Sequence, residues 1–134
     1  MKKLILMLML AVISNVAVAS EDWAPVANDA DSTLYLPTTT DQITEDGYVV
    51  TMWDLTDFVV AQPVDNLKFI SIKVQREYDC LKERTRSLSI ITYAGHMGTG
   101  RVVASTDIPD DWVTIAPHTR GALKFETVCE MYKQ

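Results

Sequence analysis

Two cysteines, Cys80 and Cys129, carry the clearest chemistry in this chain. An even count in an exported protein reads as one disulfide, with two buried free thiols as the alternative. Closing a loop of about fifty residues would stabilise the fold by roughly 4 kcal/mol in the chain-entropy model. Other residue types that could do chemistry fall short of a site. His96 and His118, the two histidines, sit in loop-like contexts without a zinc spacing. Asp29, Asp31 and Thr33 have the first spacings of a calcium loop, but Leu34 stands where glycine must turn and Thr40 where the bidentate acid belongs. Gly95-His96-Met97-Gly98-Thr99-Gly100 lacks the Gly-Lys-Ser/Thr ending of a phosphate loop, and Val102-Val103 after it is strand-like. No Gly-x-Ser-x-Gly elbow is present. The expectation is therefore no catalytic residue, no metal and no cofactor. A small hydrolase using Asp79 or Glu77, near Lys73, is the weaker alternative.

Lys82, Arg84 and Arg86 form a basic cluster in an otherwise acidic chain. Their alternate positions put all three on one strand face. They read either as a solvated edge that discourages aggregation or as a partner-docking stripe. They are the first candidate contact residues, and His96 and Met97 in the glycine-rich loop are the second. Reversing Arg84 and Arg86 to glutamate is expected to weaken an acidic partner and leave folding intact.

Compartment decides how these residues behave. Lys2-Lys3, an apolar run from Leu4 to Ile13, and the small-x-small site Ala17-Val18-Ala19 have the order of a secretory leader. Cleavage after Ala19 leaves residues 20–134 as a single domain in an oxidising compartment, periplasmic or secreted. Ser20 stands where a lipoprotein needs cysteine, so no lipid anchor is expected. Removing Lys2 and Lys3 takes the net charge from −6 to −8, which disfavours nucleic acid. No later segment has membrane-spanning length.

The elements that must position these residues are mostly strands. Trp23 to Ala27 and Thr33 to Leu36 flank an Asn-Asp-Ala-Asp-Ser turn, and Pro37 ends the second run. Thr38 to Thr44 is rich in β-branched residues, Glu45-Asp46-Gly47 signals a hairpin, and Tyr48 to Trp53 continues as strand. Asp57 to Asn66, with Pro63, reads as a connection. From Lys68 to Cys80, Ile70, Ile72, Val74, Tyr78 and Cys80 alternate with Ser71, Lys73, Gln75, Glu77 and Asp79, which predicts a half-buried antiparallel strand. Arg76 interrupts the apolar face and marks either the end of the sheet or a bulge. Arg84 to Tyr93 and Val102 to Ala104 complete the strands. After Thr119, a plausible N-cap, the period changes to that of a helix. Ala122, Phe125 and Cys129 share one face, widened by Leu123 and Val128. The expected fold is α+β: an antiparallel sheet of about six strands, with one C-terminal helix packed on one face and tied by the disulfide.

Ser71-x-Lys73 with Glu77-Tyr78-Asp79-Cys80 resembles the central signature of the surface-adhesin protein E family of bacterial envelope proteins. Trp23, Tyr48-Val49, Trp53 with Leu55-x-Asp57-Phe58, Tyr93, Met97-Gly98-x-Gly100, Pro109, Trp112 and Pro117 resemble its other motifs in order. The resemblance implies the same sheet and C-terminal helix joined by the two cysteines. It further implies a non-enzymatic binding protein, an adhesin for host matrix or serum proteins. The alternative within this class is a periplasmic protein with an endogenous envelope partner.

Overall fold

In the computed structural model, residues 23–38 and 45–131 are described, together with the backbone alone of Ile43 and Thr44. The expected leader, residues 1–19, lies outside them. Among the described residues, eight strands form one antiparallel sheet. They are β1 (Trp23–Asn28), β2 (Ser32–Pro37), β3 (Ile43–Asp46), β4 (Val49–Val64), β5 (Leu67–Asp79), β6 (Arg84–Tyr93), β7 (Val102–Thr106) and β8 (Val113–Thr114). Six of them run in the order β1-β2-β4-β5-β6-β7, while β3 adds to β4 and β8 to β6. Helix α1 spans Arg120–Met131 and lies against one face.

The β1–β2 turn closes because the Asp29 carboxylate accepts the N–H groups of Asp31 and Ser32. One expectation needs correction. Residues 57–64 are not a connection: β4 continues through them to Val64 and pairs back onto β5. Pro63 is tolerated because β2 stops at the Ser32–Phe58 pair, so beyond it the edge of β4 away from β5 carries no ladder. The short β8 carries no period of its own in the sequence and exists through its two pairs with Arg84 and Thr85.

The core on the helix side contains Leu36, Val50, Met52, Tyr78, Phe125 and Val128. Burial of such side chains contributes about 1.5–3 kcal/mol each. A helix of this length is marginal alone in water, so its apolar stripe needs the sheet. The Thr119 hydroxyl accepts the Ala122 N–H at 3.1 Å, the expected N-cap. Leu123 departs from the expected stripe and is exposed, one helical step away from the Ala122–Phe125–Val128 face. Cys80, just past β5, joins Cys129 of α1 across a Cα separation of 5.8 Å.

Beneath the helix lies a polar knot. Asp54 is 2% exposed. It accepts Arg76 Nε at 2.9 Å, Lys124 Nζ at 3.1 Å and the Tyr78 hydroxyl at 3.4 Å. Arg76 also donates to Ser87. Burial, followed by the Asp54 charge, pushes the Tyr78 phenol well above its ordinary value. The interruption noted at Arg76 is thus both a bulge and an ion pair. The register steps from Gln75–Ser89 to Arg76–Ser87 and leaves Leu88 unpaired.

Candidate functional site

The opposite face of the sheet has no α-helix over it among the described residues; a single 3-10 turn, His96–Gly98, lies at one end. Its axis is the other alternation of β5: Ser71, Lys73, Gln75, Glu77 and Asp79, about 26 Å from end to end at the rise of a strand. Directly opposed residues share a face in an antiparallel pair. Tyr93, Ile91 and Ser89 of β6 therefore join this face, as do Asp57, Leu55 and Trp53 of β4. The Leu88 bulge reverses the parity of β6, so Arg86 and Arg84 also fall on it, opposite Glu77 and Asp79. All three tryptophans of the chain, Trp23, Trp53 and Trp112, end up on this one face.

At one end, Arg84 pairs with Asp79 at 3.1 Å and Arg86 with Glu77 at 2.7 Å. Both guanidinium groups stack over Trp112, at 4.3 and 4.7 Å from the ring centre. Arg84 and Arg86 are thus half-buried members of a neutralised ladder. Lys82 is not on the strand face with them. It projects from the turn after β5, where its N–H donates to Asp79. Reversing Arg84 to glutamate would set a second carboxylate beside buried Asp79, so that variant is expected to lose stability as well as partner contact. Asp79 and Glu77, the alternative carboxylates for a hydrolase, are each held by one of these two arginines.

Burial works to raise the Asp79 carboxyl. The Lys82 N–H, the Arg84 guanidinium and the Leu81 N–H outweigh it and hold the group below its ordinary 3.8. A carboxyl depressed in the folded state contributes stability above its unfolded value, and that contribution disappears as pH falls through the folded value. Asp79→Asn is expected to flatten the loss of stability below about pH 4 in urea titrations at stepped pH. An unchanged acid limb would mean that Asp79 is not tied as described.

At the other end, the Gly95–Gly100 turn folds over the sheet. Ser71 donates to the Gly95 carbonyl at 2.6 Å and accepts the Gly98 N–H at 2.9 Å. Asp57 accepts the Met97 N–H at 2.9 Å and meets His96 Nδ1 at 3.1 Å. His96 is exposed, and Met97 is held with φ +56°. Gly98 has φ +68°, and a methyl group there would lie 2.6 Å from the Lys73 stem.

Between the two ends, Lys73 Nζ lies 5.5 Å from the ring centres of both Trp23 and Tyr93. Trp53, Lys73, Ile91 and Tyr93 line an open cavity of about 160 Å³. Leu55, between Tyr35 and Lys73 in register, is fully buried beneath these long side chains. The five candidates read from sequence therefore border this face at its two ends. Its centre, Lys73 with Trp23, Trp53 and Tyr93, was not among them. The available signal was Lys73 itself, a cation at a strand position between two positions that face the core.

A family profile described as surface-adhesin protein E matches residues 23–130. Solved structures of Haemophilus influenzae protein E superpose on the chain. Crystal form II is 12% identical with a TM-score of 0.68, over 87% of this chain and 93% of that one. The selenomethionine form is 12% identical with a TM-score of 0.63, over 85% and 90%. Protein E from a non-typeable isolate is 14% identical with a TM-score of 0.60, over 87% and 80%. At these identities the likeness is one of fold. No curated protein sequence matches the chain.

Proposed function

The chain belongs to the surface-adhesin protein E family, and from that membership we propose that it is an exported, non-enzymatic binding protein that docks a protein partner through its helix-free sheet face. The observation that carries the reading is the gathering of Trp23, Trp53 and Trp112 on that face. Tryptophan and arginine are the residues most often found to dominate binding energy at protein interfaces. Here they are half-buried and braced by neighbours, so little side-chain freedom is lost on contact.

The partner in this reading is a host matrix or serum protein, met after residues 1–19 are removed on export and residues 20–134 act as one domain. Lys82 and His96 form a polar rim with Met97 beside them, and Arg84 and Arg86 flank the Trp112 anchor. No helix among the described residues is long and apolar enough to cross a membrane. The carboxylates of Glu77 and Asp79 serve as arginine partners rather than as acid and base.

Binding of the purified chain to immobilised host matrix and serum proteins tests the proposal. Trp53→Ala is expected to weaken binding tenfold or more, and Lys82→Glu to weaken an acidic partner by a few fold. Glu126→Ala, on the exposed side of α1, is expected to have no effect. Equal losses at Glu126 and Trp53 would sink the docking face. Antibody labelling of intact cells, beside blots of periplasm and medium, decides the partner's side of the membrane. Signal confined to the periplasm would replace a host partner with an endogenous envelope one.

A further inference from the structure

We propose that the centre of the helix-free face is a binding site for a sugar carrying a single carboxylate, such as a uronic or sialic acid at the end of a glycan. This rests on the reading of that face as the contact surface and names the chemistry its centre recognises.

The first ground is charge. Lys73 is half-buried in an acidic chain, yet no carboxylate among the described residues pairs with its ammonium. Its stem is fixed instead, beside Gly98, with Nζ between the rings of Trp23 and Tyr93. An ammonium held in this way offers a point charge to a carboxylate brought from outside, and a charge-assisted hydrogen bond is about twice as strong as a neutral one.

The second ground is shape. Trp53, Tyr93 and Ile91 wall an open cavity of about 160 Å³, room for one sugar ring. The faces of aromatic rings carry negative charge density and attract the slightly positive C–H bonds on one side of a pyranose. Next to Trp53 in register, Gln75 and then Ser89 put an amide and a hydroxyl on the same face. Neither side chain makes a hydrogen bond within the described protein, so both are available to sugar hydroxyls.

Other anions fit less of this arrangement. A glutamate from a peptide would answer the ammonium and leave the ring walls unused. A phosphate brings more charge toward a protein of net charge −6 and has no apolar face. A polyanionic glycan needs a row of cations, whereas the arginines on this face are already paired.

The three tryptophans supply three indole N–H resonances, assignable through single Trp→Phe variants. The full mature chain is titrated with methyl glucuronide, N-acetylneuraminic acid, methyl glucoside and an acidic tripeptide. At least one acidic sugar is expected to move the Trp23 and Trp53 signals, with a dissociation constant of roughly millimolar order, and to leave Trp112 still. The glucoside is expected to bind at least tenfold more weakly. Lys73→Gln removes the preference for the acid and Lys73→Arg keeps it. Gly98→Ala, which displaces the Lys73 stem without removing its charge, weakens the acid several fold. No movement with either acidic sugar, equal binding of the glucoside, or tighter binding of the tripeptide would overturn the proposal. Loss of protein-partner binding in Trp53→Ala alongside no sugar response would remove the sugar and keep the docking face. The reverse pattern would keep the sugar site and remove the protein partner.

Discussion

Asp54→Ala is expected to destabilise the protein by about 3–5 kcal/mol, the range for breaking a buried ion pair from one side. Asp54 is the acceptor for two cations and a phenol in a place that water does not reach. Without it, Arg76 keeps a charge it cannot shed, and Lys124 loses the interaction that opposes its burial. Burial already holds the Lys124 ammonium below its ordinary 10.5, against the pull of Asp54. A lysine depressed in the folded state binds fewer protons there than when unfolded. Stability therefore rises with pH between the folded value and 10.5, and the neutral-pH state bears the cost of the charge.

Removing Asp54 widens that window toward neutrality. The variant should gain stability over a wider range of pH than the parent as pH rises toward 10.5. Urea titrations at stepped pH measure both effects. Replacing Asp54, Arg76 and Lys124 together by Leu, Met and Met should recover most of the loss, because the apolar trio leaves no buried charge unmet. A loss below about 1 kcal/mol in Asp54→Ala would show that the knot is hydrated and does not bear on stability.

Replacing Cys80 and Cys129 together by serine is expected to cost about 2–4 kcal/mol. The bridge closes 49 positions of sequence, and its chain-entropy value of roughly 4 kcal/mol is the upper bound. The double variant avoids a lone thiol that could pair between molecules. Without the bridge, α1 is held by three buried apolar residues, by Lys124 on Asp54, and by Arg120 on Asp29 and Ser32 near its N-terminus. The turn around Cys129 lies beyond the Lys124 and Arg120 ties, at the far end of the helix, and should fray first. Hydrogen exchange is expected to rise for amides near Val128 to Met131 well before those near Leu123. Uniform protection along the helix, with a stability change under 1 kcal/mol, would show that packing alone seats α1.

Periodicity reported what periodicity can report. The alternation from Ile70 to Cys80 and the helical spacing of Ala122, Phe125 and Cys129 are local consequences of burying one side of an element, and they foretold the sheet, the helix and the bridge. Two local readings failed for physical reasons. Pro63 looks like a strand breaker, but a proline is harmless where the adjoining edge carries no ladder. Leu123 is apolar and lies near the stripe, but the helix turns it into solvent.

By itself, the sequence determined the α+β class, the N-cap at Thr119 and the family, since each depends on residue types and short-range order, whereas the choice between a Cys80–Cys129 bridge and two free thiols fell to the structure. Only the tertiary structure decided where the charges and aromatics meet. Asp54, Arg76 and Lys124 come from β4, β5 and α1, and no local pattern links them. The Leu88 bulge, set by pairing with β5, turns Arg84 and Arg86 onto the face of Tyr93 and Ile91. Trp23, Trp53 and Trp112 lie far apart in the chain and share a face because strand register, a long-range property, puts them there.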